Sequence, residues 1–203
     1  VTTMQSSSQS SQTQNATKIV SELNSQVGFI QSAVQECIIS HPGGDDDVND
    51  SSGPGANTPY PIRPNASYLA SSATNRNVKH IGCPGNPGNS DTHADIFGGS
   101  SGRFLPPPPD LFNDWKWYNG EDGVFFWIAT DKSDPFIKTA YDKLDDKLSK
   151  CQLDTINATG GSDKALTNAG DDEDPQCLGG QRCLRYWLVL NSGAAHEDSP
   201  DCP

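Results

Sequence analysis

Between Ile19 and Ile38, apolar side chains recur at steps of four, four, three, four and four: Ile19, Leu23, Val27, Ile30, Val34 and Ile38. That spacing lays a single stripe along a helix, and a striped helix must bury its apolar side against another element. Ser, Asn and Gln occupy the opposite side with few charges, and Gly28 slightly lowers the helix propensity. The "HPGG" at 41–44 ends the pattern, because the residue before a proline is pushed out of the helical region. Continued back into the polar "VTTMQSSSQSSQTQNAT", the helix runs from about residue 5 to residue 40, roughly 54 Å at about 1.5 Å per residue. A domain within a 203-residue chain needs no rod of that length for its own core. Its polar first half is therefore expected to extend beyond the globule or to pack on another chain.

The stripe needs an apolar partner, and one segment offers it. Half of the sixteen aromatic residues lie between Phe104 and Trp127, in "FLPPPPDLFNDWKWYNGEDGVFFWIATD". Four prolines give a stiff, extended lead-in that lacks backbone donors. Two extended runs then flank Asn119–Gly123, a hairpin signal with a turn of about five residues. In the first run Trp115 and Trp117 share a face, with Lys116 and Tyr118 on the other. The second, Val124 to Ile128, is apolar at every position, as a central strand covered on both faces would be. "SDPFIKTAYDKLDDKLSKC" reads as a short amphipathic helix, with Asp134 as cap, Pro135 at the first position and Ile137, Tyr141, Leu144 and Leu148 as the buried stripe. A polar loop follows, and "LRYWLVL" at 184–190 is the last strand.

Residues 42–103 read as largely irregular, dominated by Gly, Pro, Asn, Asp and Ser. Asp45, Asp47 and Asn49 echo the alternating ligands that open a calcium loop. However, Asp50 stands where the loop's glycine belongs and Ala56 where its closing glutamate belongs, so a solvated loop is the simpler reading. Calcium is the only cofactor the sequence hints at.

Hydrophobic residues make up 33% of the chain, against 19 glycines and 15 prolines, so the core must be modest. Six cysteines, Cys37, Cys83, Cys151, Cys177, Cys183 and Cys202, are scattered with no CxxC pair. In a loop-rich chain they read as three structural disulfides formed in an oxidising compartment, their connectivity left open by the spacing. A net charge of −12 repels phosphate backbones and argues against nucleic acid as a partner.

Catalytic signals are weak. His41, His80, His93 and His196 all fall in predicted loops without metal-ligand spacing, and no nucleophile elbow, P-loop or GxGxxG occurs. Asp131, beside the central strand, is the least implausible general acid, and a turn or capping role suits it better. The chain is expected not to be an enzyme. Asn15, Asn49, Asn65 and Asn157 open N-glycosylation patterns at a frequency close to chance for so much Asn, Ser and Thr. Trp115, Trp117, Tyr118 and Trp127 could form a sugar-stacking platform, although a core packed on the long helix explains them more simply. Tyr118 is the residue of this group expected to be exposed.

Taken together, "QECIISHPGGDDD", "IGCPGNPG", "GRFLPPPPDLF" and "WKWYNGEDGVFFWI", following a polar-to-amphipathic helix, resemble the type IV pilins and pseudopilins, in particular prepilin-type proteins of some Gram-negative bacteria. The likeness covers about residues 17 to 150. It implies an α+β fold, with the long helix packed on an antiparallel sheet of about four strands and disulfide-tied loops. It divides the chain into a helix at 1–41 and a globular head at 42–203. It implies a structural subunit of an extracellular or periplasmic cell-surface filament, acting in assembly and adhesion. Partners would be copies of itself or other pilins in a helical filament, and the membrane would be reached only through a preceding hydrophobic segment that this sequence does not contain. On this reading Cys37 bonds Cys83, and the short loops favour Cys151–Cys177 and Cys183–Cys202. The region after Cys151 is longer and richer in cysteine than the family pattern. Two other readings stand beside this one. The first is a secreted glycan- or surface-binding module using exposed Trp115, Trp117 and Tyr118. The second is a secreted hydrolase, with a cleft that the sequence does not reveal.

Overall fold

The computed structural model describes residues 2–40, 77–86, 89–98, 101–120, 122–149, 151–167 and 175–190. Its first element is the long helix, α1 (Thr2–Ser40). The expected stripe is buried from Ile19 to Val34 and is broadened by Ala16, Ala33 and Cys37, while Ile38 is partly covered. Gln26 joins the buried set although a polarity pattern places it on the wet side. Its side chain bridges two other segments: Nε2 donates to the Pro107 carbonyl at 2.6 Å, and Oε1 accepts from Trp115 Nε1 at 2.6 Å. Buried polar groups are tolerated when paired in this way.

A two-stranded ribbon, β1 (Gly82–Asn86) and β2 (Asn89–Asp95), follows the segment outside the described residues. The prolines and glycines of "CPGNPG" suggest only a turn. They are accommodated here because the ribbon stands apart from the main sheet, where a missing backbone donor disrupts little. Next come β3 (Lys116–Gly120), β4 (Gly123–Thr130), α2 (Pro135–Lys147) and β5 (Leu153–Asn157). The chain ends, among described residues, with the short pair β6 (Lys164–Ala165) and β7 (Gln176–Cys177), and then β8 (Arg182–Leu190). The main sheet is antiparallel in the order β3-β4-β8-β5. The protein is thus α+β, with an N-terminal helix and a four-stranded antiparallel sheet.

The hairpin is tighter than its sequence suggests. Strand β3 extends to Gly120 and β4 begins at Gly123, so two residues connect them instead of about five. Gly123 has φ +132°, and a Cβ there would lie 2.1 Å from the Val189 carbonyl oxygen, so only glycine fits. Every residue of β4 is buried, as its unbroken apolar run predicts.

Both faces of the sheet are covered. On one, Trp115, Trp117, Val124, Phe126, Ile128, Leu184 and Tyr186 pack with the α1 stripe and with Ile137, Ala140, Tyr141 and Leu144 of α2. On the other, Tyr118, Phe125, Trp127, Ile156 and Trp187 are closed over by Ala158, Leu166 and Cys177. Asp134 precedes α2 with Pro135 at its first position, but the aspartate side chain makes no capping bond.

Strand β5 lies within the stretch that reads as a polar loop. "LDTIN" shows no alternation because Asp154, on a buried face, is paired with Arg185 of β8. Arg185 Nε donates to Asp154 Oδ1 at 2.9 Å, its Nη1 to the Leu166 carbonyl, and its guanidinium lies over the rings of Phe125 and Trp187.

Cys37 bonds Cys83, fastening the end of α1 to β1. The pairs Cys151–Cys177 and Cys183–Cys202 do not form. Cys177 bonds Cys183 instead, because the turn at Gly179–Gly180 folds β7 back onto β8. Cys151 is also disulfide-bonded, to a partner outside the described residues.

Replacing Gln26 with Leu keeps the volume but leaves the Trp115 indole N–H without its acceptor. The expected loss is about 2–3 kcal/mol of folding stability, measured by urea denaturation. A loss under about 0.5 kcal/mol would show that the bridge is dispensable.

Candidate functional site

The aromatic platform is absent. Trp115, Trp117 and Tyr118 are all buried, with Tyr118 only 2% exposed. Strand pairing sets Tyr118 opposite Phe125, and the two rings stack 4.9 Å apart inside the outer core. The expectation of exposure fails because the face away from the two tryptophans is itself covered, by the stretch between β5 and β8.

Asp131 lacks the apolar surroundings that would raise a carboxyl for general-acid work. It is exposed and bonded to Lys132 at 2.9 Å, and the hydrogen bond and charge of Lys132 hold its carboxyl below the usual range. An acid at neutral pH needs the opposite shift. His41 and His196 lie outside the described residues, while His80 and His93 belong to the turn Val78–His80 and to β2. Asp45, Asp47 and Asn49 also lie outside the described residues. Among the described residues, no group of three His, Cys, Asp or Glu side chains is placed to hold a metal ion, and no helix is long and apolar enough to cross a membrane.

One recess is a groove of about 390 Å³ between the turn at Asn77–Lys79, the end of β2 and the extended Phe104–Pro108 segment. The proline run forms one wall, held against α1 by the Gln26 bond to Pro107. Its floor is Trp115, whose backbone carbonyl accepts from Val78 N at 2.9 Å. Asn77 Nδ2 donates to Asp114 Oδ2 at 3.1 Å, and Asn77 Oδ1 accepts from Lys79 N at 3.0 Å. Phe104 stands at the rim with 70% of its surface exposed. Neither Lys79 nor Asp95 makes a side-chain ion pair or hydrogen bond among the described residues.

The lead-in also holds a strained residue. Leu111 has φ +81° in the turn closed by Phe112 N to the Pro109 carbonyl, where glycine is usual. Thr130 Oγ1 donates to the Leu111 carbonyl at 2.6 Å and fixes it there. The proline run advertised an extended segment in the sequence. Nothing there marked Asn77, Lys79, Asp95 and Asp114 as neighbours, because the contacts that gather them join segments distant in sequence.

A smaller recess of about 210 Å³ opens between α1 and β8, beside Gln31, Gln35 and Tyr186. Tyr186 donates to Gln31 Oε1 at 3.3 Å, and burial raises its phenol pKa. Burial raises Tyr141 much further, and its hydroxyl donates to the Arg182 carbonyl at 3.2 Å. Comparison with known proteins finds no matching family model, curated protein or solved structure.

All four tryptophans are buried, at 1%, 5%, 3% and 4% exposure for Trp115, Trp117, Trp127 and Trp187. Iodide should therefore leave native tryptophan fluorescence almost unquenched and quench it strongly in urea. Strong native quenching would return the tryptophans to the surface.

Tyr141 keeps its proton in the folded state beyond the pH at which an unfolded tyrosine ionises, about 10. Stability is therefore expected to fall as pH rises past about 10. Tyr141→Phe should cost about 1 kcal/mol at neutral pH through the lost hydrogen bond. The deficit should shrink above pH 10, when thermal midpoints of the two proteins are compared.

Proposed function

We propose that this chain is a structural subunit of a type IV pilus or a related pseudopilus, working in filament assembly and surface attachment. The observation that carries the reading is the start of α1. Gln9 to Asn15 are helical and exposed at every position, ahead of the first buried residue, Ala16. This stretch is Ser, Gln, Thr and Asn, without a charge. Short helices of such residues are marginal in water, because no apolar face adds tertiary packing to a modest propensity. Side-by-side packing with the helices of other copies would supply the missing contacts. An uncharged surface suits that use, since it brings no ion to desolvate.

The head fits the same role. Its core is shared between α1 and the sheet, so the helix and the head form one unit that a filament could carry on its outside. The disulfide from Cys37 to Cys83, which fastens the helix to the head, agrees with a mechanical task.

Two observations test the proposal. The gene upstream of Val1 should encode a short basic leader and about 20 apolar residues. Antibodies to the head should decorate surface filaments of the source cells in electron micrographs. A cleaved secretory signal directly upstream, with the protein free in the medium as a monomer, would sink it.

A further inference from the structure

We propose that the groove beside Phe104 binds a neutral saccharide. The inference rests on the groove's chemistry and does not depend on the filament reading. Two carboxylates, Asp95 and Asp114, border it together with one ammonium, Lys79. That mixture argues against the charged ligands in turn. An anion would meet two carboxylates, and a cation would meet the Lys79 ammonium. A polyol suits both signs, because each hydroxyl donates to a carboxylate and accepts from an ammonium.

The polar groups are partly set in advance. Asn77 takes one oxygen of Asp114 and leaves the other for a ligand, while the Lys79 and Asp95 side chains make no hydrogen bond or ion pair among the described residues. The Asn77 cap on Lys79 N fixes the turn that carries the lysine. Preorganised groups of this kind lose little freedom on binding. Phe104, 70% exposed, presents an aromatic face to the C–H side of a sugar ring. The proline wall cannot collapse onto that ring, because its φ angles are fixed and Pro107 is tied to Gln26. The volume, about 390 Å³, lies within the range of small-molecule sites. Sugar recognition thus moves from the buried Trp115, Trp117 and Tyr118 to a different aromatic residue.

Saturation-transfer NMR on the intact protein with galactose, mannose and N-acetylglucosamine, and with choline chloride as the cationic control, tests the site. Transfer to at least one sugar is expected. Phe104→Ala should weaken that binding about tenfold, and Asp95→Ala should weaken it too. Both side chains are exposed, and circular dichroism checks that both variants remain folded. Transfer to none of the three sugars overturns the proposal, as does binding unchanged in both variants. Transfer to choline alone would make the groove an ammonium site and overturn it equally.

Discussion

The side-chain amide of Gln26 meets two parts of the chain that lie 81 and 89 residues further along, the Pro107 carbonyl and the Trp115 indole. Prolines cannot donate backbone hydrogen bonds, so the Pro106–Pro109 run cannot join a sheet as an ordinary strand would. Something else has to dock it, and the helix does so with one residue. Once Pro107 and Trp115 are fixed, β3 starts beside α1, and Trp115 packs edge-on against Phe126 at 5.4 Å. Strand β4 then pairs with β3 on one side and with β8 on the other. The groove wall has the same origin.

The second dependence lies on the far side of the sheet. Arg185 and Asp154 are almost completely buried, at 1% and 0% side-chain exposure. A buried ion pair stabilises little in net terms, because desolvation consumes most of the attraction. Its strength is in specificity. Removing either partner would leave a charge in an apolar core, so register between β5 and β8 is held by the pair opposed in the ladder. Cys177–Cys183 and the Leu166 carbonyl complete the cover over that core.

Long apolar periodicity made most of the fold legible. The α1 stripe, the fully apolar β4, the amphipathic α2 and the β8 run all stand where their patterns put them. Strand β5 was hidden because Asp154 breaks its apolar alternation, and its compensating arginine sits 31 residues away. Gln26 was hidden for a similar reason, since a glutamine among polar neighbours gives no sign that its partners are a carbonyl and an indole. The β1–β2 ribbon was masked by its prolines and glycines. Local sequence reports which residues prefer water, but not which polar residues will find a buried partner. The same limit applied to the site. Aromatic content pointed to Trp115, Trp117 and Tyr118, whereas among the described residues the exposed ring is Phe104, and the polar groups around it converge only after folding.

The Cys37–Cys83 bond closes a loop of 46 residues at the end of α1. In chain-entropy terms such a closure restrains the unfolded state by about 4 kcal/mol, against about 2 kcal/mol for the six-residue Cys177–Cys183 loop. It also has a covalent consequence. A protease that severs the chain anywhere between these two cysteines produces two fragments that are still joined. The helix and the head would part only after reduction, so nicked molecules would retain their packed core and migrate as one species until a thiol is added.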